Sequence, residues 1–205
     1  DAPPPSARDG RQDLDYMEEM ILFCIEQMEG GTLVLFTNYF DLNQIARRIE
    51  PELENLGRPM FQQGRDYSRS ELTREFTKAG NGVLLGTESF WAGVDVPGPA
   101  LSQVIITRLP FENPSHPVAE AKSDWIKEQG KSPFLELTLP DALIKFRQGV
   151  GRLIRKKDDK GIITVLDSRI FTKQYGIQFL YTLPKKDFHR FDKSSRNWVF
   201  DHAHL

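Results

Sequence analysis

Apolar residues fall along this chain in two alternating rhythms. The runs "TLVLFT" (32–37), "NGVLLGT" (81–87), "LSQVIITRL" (101–109) and "KGIITVLD" (160–167) are short and continuously apolar at their centres. Such runs mark strands buried on both faces of a parallel sheet. "RPMFQ" (58–62) reads as a weaker strand. Between them the apolar positions recur with the helical period. Residues 13–31 form a helix ended by glycines, with Met17, Met20, Ile21, Cys24 and Met28 as its apolar stripe. Further helices are predicted over 41–50, over 68–80 with Ser68 or Ser70 as N-cap, over 141–155 and over 171–184. An excursion at 110–140 holds one helix and a loop, and the polar stretch 185–205 is irregular apart from "NWVF".

Strands alternating with helices predict an α/β domain with a mainly parallel sheet and right-handed crossovers. In such sheets function gathers at the carboxyl ends of strands. The candidates there are 37–39, 87–95, 108–112 and 167–169. The expected division is a linker at 1–12, the domain at 13–184 and a C-terminal tail at 185–205. The Pro/Ser/Gly-rich opening, starting at Asp1, reads as a cut made in a linker of a larger protein.

Composition narrows the classes. With 205 residues, 39% of them hydrophobic, the chain can bury a sizeable core. Its 27 Lys+Arg against 29 Asp+Glu exclude a globally basic nucleic-acid binder but not a local basic groove. Cys24 is the one cysteine, so there is no internal disulfide and no Cys/His set for zinc or an iron–sulfur cluster. The expectation is a reducing, cytoplasmic setting, no membrane span and no resident metal.

Three stretches carry candidate chemistry. In "FRQGVGRLIRKK" (146–157), helical spacing puts Phe146, Val150, Leu153 and Ile154 on one side and Gln148, Arg152 and Arg155 on the other. Gly149 and Gly151 flank that polar stripe, and each costs about 1 kcal/mol against alanine in a helix, so something there needs close approach. Spacing alone leaves two readings standing: a solvated basic face, or two guanidiniums aimed at one phosphate. In "VLLGTESFWAGVDVPG" (83–98), a strand runs into Thr87, Phe90, Trp91, Gly93 and Asp95. A turn with a buried aromatic pair is the better reading of that stretch alone. Thr37, Asn38 and Tyr39 end a strand before a helix, which is ordinary turn chemistry without context. Two decoys fall away. "GKS" at 130–132 lacks the phosphate-loop glycine, since Trp125 stands in its place, and no strand precedes it. Asp167 then has no nucleotide to serve and reads as a turn residue or an arginine partner.

Together and in order, these stretches resemble motifs four, five and six of superfamily-two helicases. "LVLFTNY" is similar to motif four, "GTESFWAGVDVPG" to motif five of the DinG/XPD group, and "QGVGRLIR" to motif six. "LPF" after the fourth strand and "DSR" after the last one also match the DinG pattern. The resemblance spans 31–183, with Asn38 where the family often has serine. It implies a RecA-like, three-layer α/β/α second motor domain of the P-loop NTPase type. It further implies that Arg152, Arg155 and Gln148 reach ATP and Mg2+ held mainly by the first motor domain of the same polypeptide. By the same resemblance, Gly93, Asp95 and Gly151 line the nucleotide cleft, and Thr37, Asn38, Thr87 and Trp91 lie near single-stranded DNA. The motor would be a monomer moving 5′ to 3′ in DNA repair or replication, inactive as this piece alone. An iron–sulfur cluster would belong to the absent part. The alternatives are a non-catalytic docking module of helicase ancestry and an RNA helicase domain. A self-sufficient Rossmann-like enzyme is disfavoured, because no glycine-rich turn follows "TLVLF".

Overall fold

Five of the apolar runs hydrogen-bond side by side as one parallel sheet. The computed structural model describes residues 10–65, 68–93, 100–112, 117–153, 161–183, 189–192 and 197–199. The elements run α1 (Gly10–Glu26), β1 (Thr32–Leu35), α2 (Tyr39–Asn55), β2 (Met60–Gln62), α3 (Arg69–Ala79), β3 (Val83–Gly86) and α4 (Glu88–Gly93). Then come β4 (Gln103–Ile106), α5 (Pro117–Glu128), α6 (Leu139–Val150), β5 (Ile162–Val165), α7 (Arg169–Thr172), α8 (Gly176–Tyr181), and an antiparallel pair, β6 (Arg190–Asp192) with β7 (Asn197–Val199).

Strand order is β2-β3-β1-β4-β5, parallel throughout. Alternation along each strand sends side chains to two cores. Leu33, Leu35, Leu84, Val104 and Ile106 meet Phe76 of α3, Phe90 and Trp91 of α4, Phe146 of α6 and Phe179 of α8. Val34, Val83, Leu85 and Ile105 meet Met17, Ile21 and Ile25 of α1 and Leu42, Ile45 and Ile49 of α2. Each such fully buried side chain stabilises by about 1.5–3 kcal/mol. The three-layer α/β/α arrangement follows. The chain leaves β1 towards one face and β2, β3 and β4 towards the other, as right-handed crossovers require for this order. The crevice at the strands' carboxyl ends therefore opens beside β1, where Thr37 and Asn38 stand.

Capping explains several boundaries. Asn38 caps α2 by accepting from the Asp41 N–H at 2.7 Å. Ser68, one of the two residues expected there, caps α3 in a capping box with Glu71. Three expectations are corrected. The helix expected over 141–155 begins at Leu139, is preceded by a π-helical turn over Phe134–Thr138, and ends at Val150. Beyond it the bonds tighten, with the Arg152 N–H donating to Gly149 O and the Leu153 N–H to Val150 O. The two glycines weaken the helix just where the hydrogen-bond register changes. The single helix expected over 171–184 is two, broken where Lys173 turns extended. In the tail expected to be irregular apart from "NWVF", that stretch provides β7, which pairs with a second strand, β6, that was not expected.

At the amino end of the sheet, buried Arg58 donates to the carbonyls of Ile25, Met28, Gly30 and Asn81. It joins the loops before β1 and β3 to the entry of β2. Burial lowers its pKa.

Candidate nucleotide and nucleic-acid edge

The described members of the expected set do not share one edge: Thr37, Asn38 and Thr87 follow the carboxyl ends of β1 and β3, whereas the chain past α6 brings Leu153 against Gly161, just before β5. α4 packs across α6 through one contact that decides the local geometry. A Cβ on Gly149 would sit 2.7 Å from Cε3 of Trp91 and 3.0 Å from Cδ1 of Leu35. The close approach that Gly149 permits is therefore to the core indole. This seats α4 against the end of α6, where Gln148, Gly151 and Arg152 stand; Gly93 is the last residue of α4. Gln148 and Gly151 are exposed and Arg152 is half-buried. Arg155 and Asp95 lie outside the described residues.

Trp91 is 2% exposed and its indole N–H donates to Phe36 O at 3.0 Å. Its placement beside a nucleic acid is corrected: the ring is in the core and offers no face to a base. Thr87 is buried too. Its N–H donates to Oε1 of Gln63 at 2.7 Å and its hydroxyl to the same oxygen at 3.1 Å. The Thr87 side chain thus lies behind the surface. Thr37 is half-buried and Asn38 exposed. Both of the Asn38 side-chain polar atoms engage Asp41, Nδ2 donating to Oδ2 at 3.0 Å.

The edge divides into two halves. On the β4–β5 side, Arg108 pairs with Asp13 of α1 at 3.2 Å and with Asp41 of α2 at 3.3 Å. Asp167, its side chain 1% exposed, accepts from the Leu109 N–H at 2.8 Å and holds Arg169 in a fork. The Arg169 guanidinium lies 5.2 Å from the centre of the Phe111 ring. The reading of Asp167 as an arginine partner holds. On the β1–β3 side the joining groups are neutral. Gln63 Nε2 donates to the hydroxyls of Tyr39 and of Ser89, the latter at 2.9 Å. Tyr39 and its neighbour Phe40 are exposed.

Sequence reading missed Gln63. The available signal was a polar residue just past a strand end, in "FQQG", before a glycine that takes φ +82°. Away from the edge, burial pushes the Cys24 thiol up to about 11, so it is protonated and inert near neutrality. Among the described residues no group of three or more His, Cys, Asp or Glu could hold a metal ion, and no helix is long and apolar enough to cross a membrane.

Comparison with known proteins identifies the family. Residues 21–186 match the helicase C-terminal domain model. The Bacillus subtilis protein named 3'-5' exonuclease DinG is 42% identical over 160 residues, covering 78% of this chain and 17% of that protein. Escherichia coli ATP-dependent DNA helicase YoaA is 40% identical over 165 residues, covering 80% of this chain and 25% of that protein. Mycobacterium tuberculosis ATP-dependent helicase DinG is 38% identical over 181 residues, covering 88% and 26%. A solved XPD helicase superposes with a TM-score of 0.66 at 22% identity, over 87% of this chain and 32% of that one. The chain belongs to the helicase C-terminal domain family, in its DinG/XPD-like form, and its fold is RecA-like. It spans about a quarter or less of the length of these curated relatives.

Proposed function

We propose that this chain is the second motor domain of an ATP-dependent DNA helicase of the DinG/XPD type. In this reading it completes an ATPase site whose nucleotide is held by the first motor domain of the same polypeptide. One observation carries it: the end of α6, which packs on α4, holds exposed Gln148 and Gly151 and half-buried Arg152 together. Within the chain no phosphate-binding loop accompanies them. A guanidinium placed there has no nucleotide of its own to meet and suits one delivered across a cleft.

The chemistry of the chain's own residues follows. Phosphoryl transfer to water spreads negative charge over the γ-phosphate oxygens, and the protein contributes mainly positioning and charge stabilisation. Arg152 and Arg155 supply that charge, with Arg155 as the finger on the γ-phosphate. Arginine suits the role because its fork stays protonated and can hold two oxygens at once. Gln148, Gly93, Asp95 and Gly151 line the same cleft. Mg2+ accompanies the ATP in the first domain, and any iron–sulfur cluster belongs to that part as well. Closure on ATP and release after hydrolysis, with single-stranded DNA lying across both domains, would step a monomeric motor 5′ to 3′ in cytoplasmic DNA repair or replication.

The test is mutation in the full-length protein. Arg152→Ala and Arg155→Ala are each expected to lower DNA-stimulated ATPase by on the order of 10³-fold, the scale of an arginine finger. Single-strand binding measured by anisotropy should survive in both. Turnover close to wild type in the Arg155 variant would remove the finger assignment. This domain alone should show no ATPase.

A further inference from the structure

Gln63 joins three loops at the β1–β3 half of the edge. It stands just past β2. Its Oε1 accepts from the Thr87 N–H and hydroxyl after β3, and its Nε2 donates to Tyr39 at the start of α2 and to Ser89 in α4. The backbone N–H of Thr87 can only donate. It therefore fixes which end of the amide faces it, and Nε2 must face the two hydroxyls. A hydroxyl that accepts from Nε2 keeps its own hydrogen for another acceptor. Tyr39 is 50% exposed and Ser89 half-buried, so both hydrogens can turn towards solvent.

We infer that Gln63 is a positioning residue. It holds the Tyr39 and Ser89 hydroxyls as a pair of outward donors for the sugar–phosphate backbone of a single strand. The pair flanks one nitrogen, so its two donors are spaced by the amide and not by flexible side chains. Phosphate contacts from neutral hydroxyls read no sequence, which suits a motor that must pass every base. The buried Thr87 sets the amide and does not touch the strand. Arg69 extends the same surface, its guanidinium donating to Ser89 O at 3.3 Å. This inference rests on the proposed function, because it takes a nucleic-acid strand as the ligand.

The experiment uses the full-length protein, a labelled oligothymidylate and two variants. Gln63→Glu keeps an acceptor for Thr87 but turns Nε2 into a carboxylate oxygen. Both hydroxyls then donate inward, and a negative charge faces the phosphate. Tyr39→Phe with Ser89→Ala removes the outward donors and leaves Gln63 in place. Each variant should raise the Kd for the oligonucleotide about tenfold, the scale of losing charge-assisted hydrogen bonds. The half-saturating DNA concentration for ATPase should rise in step. The loss should fall on that concentration rather than on the rate at saturation, with the unfolding temperature held. Kd values within about twofold of wild type in the double variant overturn the inference. If Gln63→Glu lowers the unfolding temperature, the double variant alone decides. Wild-type protein that fails to bind the oligonucleotide removes the functional reading beneath it, a result distinct from variants that bind as well as wild type.

Discussion

On the β4–β5 side of the sheet's carboxyl edge, Arg108 and Arg169 are locked to Asp13, Asp41 and Asp167. On the β1–β3 side, one amide joins three hydroxyls. The charged half looks the better anion site by composition and is the poorer one by geometry. Its guanidiniums already face carboxylates, and a phosphate would have to compete with them. The other half is joined through neutral groups, with Arg69 alongside, and its Tyr39 and Ser89 hydroxyls accept from Gln63 and can turn their hydrogens outward. Charge counted along a sequence is therefore not charge available to a ligand; what matters is which donors the fold has already occupied.

The strongest way to break this comparison is at Asp167. Its carboxylate serves a backbone N–H and a guanidinium at once, and its side chain is 1% exposed. Asp167→Ala leaves Arg169 half-buried against Phe111 with its counter-charge gone. The cost should be about 3–5 kcal/mol, as for a buried pair that loses one partner. Urea unfolding of the domain measures it. A loss below about 1 kcal/mol would mean that water already compensates this group, and the charged half would count as open rather than closed.

One member of that pair was legible in advance, since Asp167 was expected to be a turn residue or an arginine partner, without the arginine being named. "LDSR" places an aspartate at a strand end two residues before an arginine, and the chain's own spacing brings them together. The strands were legible for a similar reason, since a continuous apolar run has few other uses in a chain with this much charge. The α3 cap was legible only to a choice between Ser68 and Ser70, and the capping box with Glu71 decides for Ser68. Burial of Trp91 was the better reading of its own stretch and is what the packing of α4 on Gly149 shows; only the motif resemblance moved the ring towards a strand. What escaped was tertiary. Gln63 meets Thr87 across 24 positions, which no local pattern reveals. The end of α6 depends on bonds to i−3 carbonyls, a choice that helical periodicity assumes away.

Arg108 gives the intermediate test. It bridges two helices from the end of β4, its side chain 18% exposed. Arg108→Ala should cost about 2 kcal/mol in urea unfolding, the scale of hydrogen bonds to charged groups. Affinity for single-stranded DNA in the full-length protein should stay within about twofold of wild type, because the guanidinium is occupied. A loss of about tenfold with stability intact would place a phosphate on Arg108 and reverse the assignment of the two halves.

Thr87 gives the smallest effect and the sharpest distinction. Motif resemblance places it near the strand, whereas its burial and its two bonds to Gln63 place it one layer behind. Thr87→Val keeps the shape and the N–H but removes the hydroxyl. The amide of Gln63 stays oriented, because the N–H still sets it. Stability should fall by about 1 kcal/mol, the net worth of one hydrogen bond. DNA affinity should be unchanged, in contrast to the Tyr39 and Ser89 double variant. If Thr87→Val instead weakens DNA binding as much as that double variant does, the hydroxyl itself reaches the strand. The neutral half would then bind through Thr87 directly, with Gln63 as its companion rather than its support.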